Sequence, residues 1–204
     1  MARKLTPQKR ADLLKAAVKV FKNKGFREAS VQDIVSEAGA STSTFYRYFN
    51  SKDDLYEEIV MGFIGGFVAV WRQIHESLTQ KNLDSEQTLE RMEQAFQAIL
   101  EYYRSNRDVA KIVFRRILPV EERFSRQADM VVDATMQQLS GMLRRARKAG
   151  IAKHIEPEVG AAIAMGGIFG VAVECVVEGR RNDVARITAE IMEILRHGIT
   201  RDGA

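Results

Sequence analysis

An apolar repeat of about 3.6 residues runs through most of this sequence, and only three prolines interrupt it over 204 residues. This spacing places apolar side chains along one face of an α-helix, whereas a half-buried strand would alternate at every second residue. Near the N-terminus Leu14, Val18 and Phe21 follow the helical spacing and are expected to face a core. The pattern predicts an all-α fold.

Capping residues mark the ends of the first helix. Thr6-Pro7 predicts its start, because a capping hydroxyl is followed by a proline whose missing N–H costs nothing at that position. Gly25 predicts its end, because glycine readily adopts the left-handed conformation that closes many helices. Phe26 is then expected to pack back on Phe21.

The next two helices follow each other almost without a linker. Ser30 and Asp33 form the capping pattern of the second helix, and Gly39 ends it. The third helix begins at once, after a cap at Ser41 or Thr42. Two helices joined by so short a turn must cross sharply, so the sequence predicts a helix-turn-helix.

One face of the third helix is suited to DNA. Phe45 and Phe49 lie four residues apart and fix one side against a core, which leaves Ser43, Tyr46 and Arg47 on the other side. Hydroxyl groups beside an arginine can contact base edges and phosphates. Residues 1–50 carry ten Lys/Arg against four Asp/Glu, a net charge of +6 in a chain whose total is +4. This basic segment favours a polyanion as its partner.

The run Ser30–Leu55 resembles the N-terminal domain of the TetR family of bacterial transcriptional repressors. The resemblance is carried by Ala38-Gly39, Tyr46, Tyr48-Phe49 and Lys52, which match the family pattern in order and spacing. The agreement with that domain extends over about fifty residues, roughly a quarter of the chain. At Thr42-Ser43, where many members of the family carry lysine or glycine, the sequence departs from the pattern, and the base preference stays open.

Lys52 is expected to bind a DNA phosphate. It lies in the first turn after a cap at Ser51, where the helix dipole disfavours a cation. A bound phosphate would reverse this effect, because it would accept from the backbone N–H groups and from the lysine. The predicted DNA-contacting residues are, in full, Ser30, Ser41, Thr42, Ser43, Thr44, Tyr46, Arg47 and Lys52.

A long fourth helix is expected to join the small N-terminal domain to a larger helical one. The predicted division is a DNA-binding domain over residues 1–52 and an effector-binding and dimerisation domain over residues 53–204. Gly62, Gly65 and Gly66 interrupt the fourth helix at a cost of roughly 1 kcal/mol each relative to alanine. Either close helix packing or a hinge that passes on the ligand state would compensate, and the sequence leaves both open.

The resemblance implies a pocket for a small-molecule effector in the larger domain. Methionine and aromatic side chains suit an adaptable apolar cavity, although the same residues at helical spacing are also typical of a plain core. The candidate lining residues are Trp71, Met92, Phe96, Tyr103, Phe114, Met130 and Phe169.

The segment Val159–Val177 is apolar all round. Its run before Glu174 is shorter than the ~18 to 20 residues of a membrane span, so the sequence predicts a buried helix and no membrane. Small residues recur every four positions in this helix, and isoleucines form one stripe on the last helix. This pattern predicts a homodimer built on a four-helix bundle. The predicted interface comprises Ala162, Gly166, Gly170, Ile187, Ile191 and Ile194.

Together these patterns indicate a DNA-binding transcriptional regulator, a repressor released from a near-palindromic double-stranded operator by an apolar or amphipathic effector. No paired nucleophile and base, Gly-rich phosphate loop or metal motif is present, so no enzyme activity and no cofactor or metal is predicted. A polar N-terminus and a single cysteine, Cys175, predict a cytoplasmic protein. The alternatives are an architectural protein that binds DNA without sequence preference, and an all-α carrier or enzyme with an incidental helix-turn-helix.

Overall fold

The structure is a computed structural model, and it describes residues 6–79, 84–117, 122–148, 150 and 155–198. Over these residues the chain forms α-helices and no strand, as the periodicity predicts. The helices are α1 (Pro7–Lys24), α2 (Val31–Glu37), α3 (Thr42–Tyr46), α4 (Lys52–Leu78), α5 (Ser85–Ser105), α6 (Arg107–Ile117), α7 (Glu122–Lys148), α8 (Pro157–Val171) and α9 (Val184–Gly198), with a π-helical segment (Ala172–Val177) that continues α8.

The chain divides into two compact units. The first contains Met1–Gly66 together with Asn106–Val120, and the second contains Phe67–Ser105 and Glu121–Ala204. The helix α4 therefore contributes to both units, and α6 belongs to the first. The compact units divide within α4, after Gly66, because α4 continues to bury apolar side chains beyond residue 52 and α6 packs on α1. The functional boundary expected between residues 52 and 53 stays a prediction.

The first unit has one apolar core, to which four of its helices contribute. Leu13 in α1, Ile34 in α2, Phe45 in α3 and Leu55 in α4 are all fully buried. The buried stripe of α1 lies one residue before the predicted one, so Leu14 and Val18 are only half-buried. Phe21 is buried, as expected.

An aromatic corner joins the end of α1 to α4. Gly25 ends α1 with a φ of 80°, and its N–H donates to the carbonyl of Phe21 over 2.9 Å. The rings of Phe21 and Phe26 then lie 5.2 Å apart, as predicted for this kind of helix end. Tyr56 completes the corner at 5.0 Å from Phe26. The corner fixes the direction in which the chain leaves α1.

In the second unit, α8 presents two different faces. Its packed face approaches α7 so closely that a Cβ added at Gly160 would lie 2.8 Å from Cδ1 of Leu143. Its other face carries Val159 and Ile163, which are 54% and 63% exposed in the single chain. The stretch Pro157–Val177 is long and apolar enough to cross a membrane by length and composition, yet only 22% of its most apolar window is buried. Within one chain it is therefore not the buried helix that the sequence predicts.

Candidate nucleic-acid interface

The helix α3 begins with a compact group of hydroxyls. Ser41 is its N-cap, and the Ser41 hydroxyl oxygen accepts from the backbone N–H of Thr44 over 3.1 Å. The same oxygen lies 2.9 Å from the hydroxyl oxygens of Ser43 and Thr44. Three of the predicted DNA-contacting hydroxyls thus stabilise the start of α3. Ser43 is exposed and Thr44 is half-buried, so Ser43 is the better placed of the two to reach a ligand.

A lysine from α1 holds the turn between α2 and α3. The ammonium of Lys9 donates to the carbonyls of Ala38 and Gly39 over 3.0 and 3.4 Å. Gly39 has a φ of 53°, which an L side chain rarely adopts, and this lets the chain reverse at that point. Sequence reasoning missed this role of Lys9, because the contact spans about thirty residues and has no local signal.

The other end of α3 is tied to the start of α1. The phenol oxygen of Tyr48 accepts from the backbone N–H of Thr6 over 2.8 Å. This hydrogen bond is the main cause that lowers the pKa of Tyr48 from its usual value. Lys9 thus ties α1 to the turn before α3, and Tyr48 ties the start of α1 to the segment that follows α3.

The outward face of α3 carries an aromatic ring and a guanidinium. Tyr46 is 55% exposed although its ring packs edge-on against buried Phe45 at 5.4 Å. Arg47 directly follows α3 and is exposed. Together with Ser43 they give α3 a polar surface beside its buried Phe45–Phe49 side, as the sequence analysis expects. Such a surface can contact phosphates and base edges.

A hydrogen bond links the starts of α2 and α3. The hydroxyl of Thr42, the first residue of α3, donates to the side-chain carbonyl oxygen of Gln32 in α2 over 3.2 Å. Both side chains are exposed. Gln32 is absent from the predicted site, although the crossing of two helices joined by a short turn places the start of one beside the other.

Ser30 caps α2 as predicted. Its hydroxyl accepts from the N–H of Asp33 over 3.1 Å, and the Asp33 carboxylate accepts from the N–H of Ser30 over 2.9 Å. Lys24 also donates to Asp33 over 2.6 Å. The hydrogen bond from Lys24 is the largest cause that holds the pKa of Asp33 well below its usual range, and the hydrogen bonds with Ser30 come next. Ser30 therefore has a structural role and is exposed at the same time.

The ammonium of Lys52 binds carbonyl oxygens of the protein itself. Its ammonium donates to the carbonyls of Phe26, Ala29 and Arg27 over 2.7, 2.6 and 3.4 Å. It also lies 4.3 Å from the centre of the Phe26 ring. An ammonium has three donors, and these carbonyls account for all of them. The structure thus places Lys52 as a clamp on the α1–α2 loop, and its expected contact with a phosphate stays a prediction.

Comparison with known proteins identifies the domain that carries these contacts. The family described as "Bacterial regulatory proteins, tetR family" matches residues 13–59, which hold α2, α3 and their supports. Residues 13–59 of this chain therefore form a TetR-type N-terminal domain. One relative, the HTH-type transcriptional regulator YdgC of Bacillus subtilis (strain 168), is 26% identical over 197 residues, 96% of this chain and 95% of YdgC. The repressor KstR2 of Rhodococcus jostii (strain RHA1) is 35% identical over 82 residues, 40% of this chain and 38% of that protein.

Solved structures of transcriptional regulators share the fold over almost the whole chain. KstR2 of Mycobacterium tuberculosis, a ketosteroid transcriptional regulator, aligns with a TM-score of 0.77 and 20% identity over 99% of this chain and 100% of its own. PfmR of Thermus thermophilus aligns with a TM-score of 0.75 and 19% identity over 93% of this chain and 99% of its own. At this identity the likeness shows the fold.

The seven residues predicted to line the effector pocket differ in burial and in the unit to which they belong. Phe96 and Tyr103 are buried in the second unit, and Trp71 donates a hydrogen bond there to Gln138. Burial, and then the neighbouring Tyr102, raises the pKa of Tyr103 to about 12, so its phenol stays neutral.

The other four candidates have different surroundings. Met92 is half-buried in the second unit, while Met130 and Phe169 are 72% and 45% exposed. Phe114 belongs to the first unit, where its ring lies 6.1 Å from that of Phe63. Exposed side chains do not enclose a small molecule within one chain, so Met130 and Phe169 are the weakest of the seven.

The predicted dimer residues fall into an open group and a buried one. Ala162, Gly166 and Gly170 are exposed, and a Cβ added at either glycine would meet no atom within 4 Å. Ile194 is 71% exposed and Ile191 is half-buried. Ile187 is only 5% exposed, so it packs inside the second unit and is not part of the open surface.

Proposed function

We propose that this protein is a ligand-responsive transcriptional repressor whose first unit binds a near-palindromic DNA operator. The observation that carries the proposal is the TetR-family match over residues 13–59, within which the structure leaves one polar face of α3 exposed. The anchors at Lys9 and Tyr48 hold that face in a fixed orientation before DNA arrives. A preorganised surface loses less conformational entropy on binding than a mobile one.

A homodimer would supply the second recognition helix that a palindromic operator requires. In helix-turn-helix dimers the two reading helices contact half-sites about 34 Å apart. The open face of α8, with exposed Ile163 and Gly170, and exposed Ile194 on α9 support this assembly. Each is apolar and lacks cover within one chain. Contact between two copies would also account for the low burial of the apolar stretch Pro157–Val177.

The proposed effector is a small apolar or amphipathic molecule bound in the second unit. Buried Phe96 and the neutral phenol of Tyr103 would supply an apolar wall with one hydroxyl. Regulators of the same fold are named for ketosteroids, for fatty acid degradation and for a complex with triclosan. These names share carbon-rich compounds, which supports an apolar or amphipathic effector here. Binding to chromosomal DNA would place the protein in the cytoplasm.

Selection of genomic fragments by the purified protein tests this proposal. The bound fragments are sequenced with and without a metabolite extract, and each is then challenged with an excess of unrelated DNA. We expect a few fragments that share an inverted repeat to survive the challenge, and the extract to release them.

A matched pair of arginine variants locates the interface in the same assay. Arg47→Ala should relax the preference at one position in each half-site, because base contacts set specificity. Arg104→Ala, an exposed arginine of α5 in the second unit, should leave the preference unchanged. Fragments that unrelated DNA displaces equally well would instead indicate an architectural DNA-binding protein. If the protein binds no fragment, the result would favour the alternative of an all-α carrier or enzyme with an incidental helix-turn-helix.

A further inference from the structure

The hydrogen bond between Thr42 and Gln32 joins two helices at the end of α3 where DNA is read. Thr42 is the first residue of α3, and Gln32 lies in the first turn of α2. In helix-turn-helix proteins the first residues of the recognition helix contact base edges in the major groove. The Gln32 carbonyl oxygen is 3.2 Å from the Thr42 hydroxyl, so its amide lies at the same end.

We propose that Gln32 reads a base directly and that Thr42 positions its amide, so that the two side chains act as one unit across α2 and α3. The inference rests on the proposed function and assigns one of its specificity-determining residues. Gln32 has the chemistry for this role, since it is an exposed amide near the polar face of α3. Thr42 alone offers only one hydroxyl, and that hydroxyl donates to Gln32.

The hydrogen bond that the Gln32 amide already makes determines which base it favours. A glutamine carbonyl oxygen has two lone pairs and the amide nitrogen carries two hydrogens. The Thr42 hydroxyl occupies one lone pair, which leaves one acceptor and both donors for DNA. Adenine presents an N7 acceptor beside an N6 donor in the major groove, and glutamine can bind both at once. Guanine replaces the donor with the O6 acceptor, which would oppose the remaining lone pair. The pair therefore favours adenine over guanine.

Thr42 acts here as a positioning residue. A glutamine side chain loses rotamer freedom when it is fixed, and an amide that can rotate by half a turn presents its donors and its acceptor in either order. In the structure the Thr42 hydroxyl holds the Gln32 carbonyl oxygen toward Thr42, and this contact limits the rotation of the amide before binding. Thr42→Val keeps the branched shape and removes the hydroxyl. It should therefore weaken the discrimination between adenine and guanine without removing the contact.

The test is selection from a random DNA library by the full-length protein, followed by sequencing. Wild type is compared with Gln32→Ala, Thr42→Val, the double variant and Gln97→Ala, an exposed glutamine of α5 in the second unit that serves as the matched control. Alanine favours a helix at least as well as glutamine, so Gln32→Ala should fold, and circular dichroism checks this.

We expect Gln32→Ala to reduce the adenine preference at one position of each half-site by about 10- to 100-fold, the range of a good bidentate base contact. Thr42→Val should reduce the adenine-to-guanine ratio at the same position by about 2- to 10-fold, the range of one hydrogen bond. The double variant should match Gln32→Ala, because Thr42 would have nothing left to position. Gln97→Ala should behave as wild type.

The contrary outcomes separate this inference from the proposed function. A wild-type preference that survives in Gln32→Ala overturns the inference and leaves the proposed function intact. A preference that Gln32→Ala loses and Thr42→Val keeps at full strength overturns the coupling of the two side chains. Wild-type protein that enriches no sequence at all overturns both the inference and the proposed function.

Discussion

Lys52 shows how a single side chain can match a DNA-binding pattern and still serve the fold. Its ammonium reaches two part-buried carbonyls, those of Phe26 and Ala29, across more than twenty residues of sequence. Without the lysine these oxygens would lose a charged donor in a place that water reaches poorly. Hydrogen bonds to charged groups contribute about 1.5–3 kcal/mol, more than neutral ones. The lysine therefore stabilises the loop from which α2 begins.

We expect Lys52→Met to lower the free energy of unfolding by about 2 kcal/mol, measured by chemical denaturation. The salt dependence of operator binding should keep its slope, because the ammonium faces carbonyls and not a phosphate. Lys15→Met is the control, since Lys15 is an exposed lysine of α1. If stability is unchanged and the slope of log K against log salt concentration falls by about one per subunit, Lys52 instead contacts a DNA phosphate.

At the scale of elements, close packing within the chain does not explain why α4 carries two exposed glycines. A Cβ added at Gly62 or Gly65 would meet no atom within 4 Å. Close approach of another element of the same chain is therefore not what requires glycine at either position. A hinge that responds to the effector remains the prediction that accounts for them, at the point where α4 passes from the first unit to the second.

Replacing both glycines by alanine tests the hinge. Gly62→Ala and Gly65→Ala should each raise the stability by about 1 kcal/mol, read from chemical denaturation. If α4 must bend to release DNA, the double variant should bind the operator and respond less to the effector. Gly160→Ala is the contrasting control, because its methyl group would press on Leu143 and Ile155 and should gain less. A stabilised double variant with a full effector response would reject the hinge.

The helix ends were predictable from sequence and the contacts between helices were not. Ser30 and Ser41 cap α2 and α3, and Gly25 and Gly39 take positive φ values, because each of these features depends on a few neighbouring residues. The Thr42–Gln32 bond crosses ten residues and depends on the angle between two helices. The Lys9 and Lys52 clamps likewise depend on tertiary distance, about which a residue pattern carries no information. The placement of α6 in the first unit has the same cause.

At the scale of the whole molecule, the open face of α8 is the best guide to assembly. Exposed apolar side chains on one face of a helix lower the free energy when a second apolar surface covers them. In the single chain Ile163 is 63% exposed, and Gly166 and Gly170 would let another backbone approach closely. A two-fold axis that runs through this face would pair it with itself.

Ile163→Asp should therefore convert the dimer to a monomer in sedimentation experiments at micromolar concentration and weaken operator binding, because one half-site reader would be lost. Val132→Asp is the matched control, since Val132 is an aliphatic residue of α7 that is 44% exposed. It should leave the dimer intact. If the Ile163→Asp variant forms dimers of unchanged stability, the interface lies on another surface.

The internal pairing of the basic residues has a consequence for the search along a chromosome. In the first unit the basic side chains Arg10, Lys19, Lys22 and Lys24 pair with carboxylates, while Lys9 and Lys52 donate to carbonyls. The four ion pairs lower the local positive charge that would displace cations condensed on a duplex, and this displacement supplies most of the affinity for arbitrary DNA. A chain with an isoelectric point near 9.2 would then bind arbitrary DNA less tightly than its basic composition suggests, and its occupancy of the operator would depend more on short-range contacts at the ends of α2 and α3.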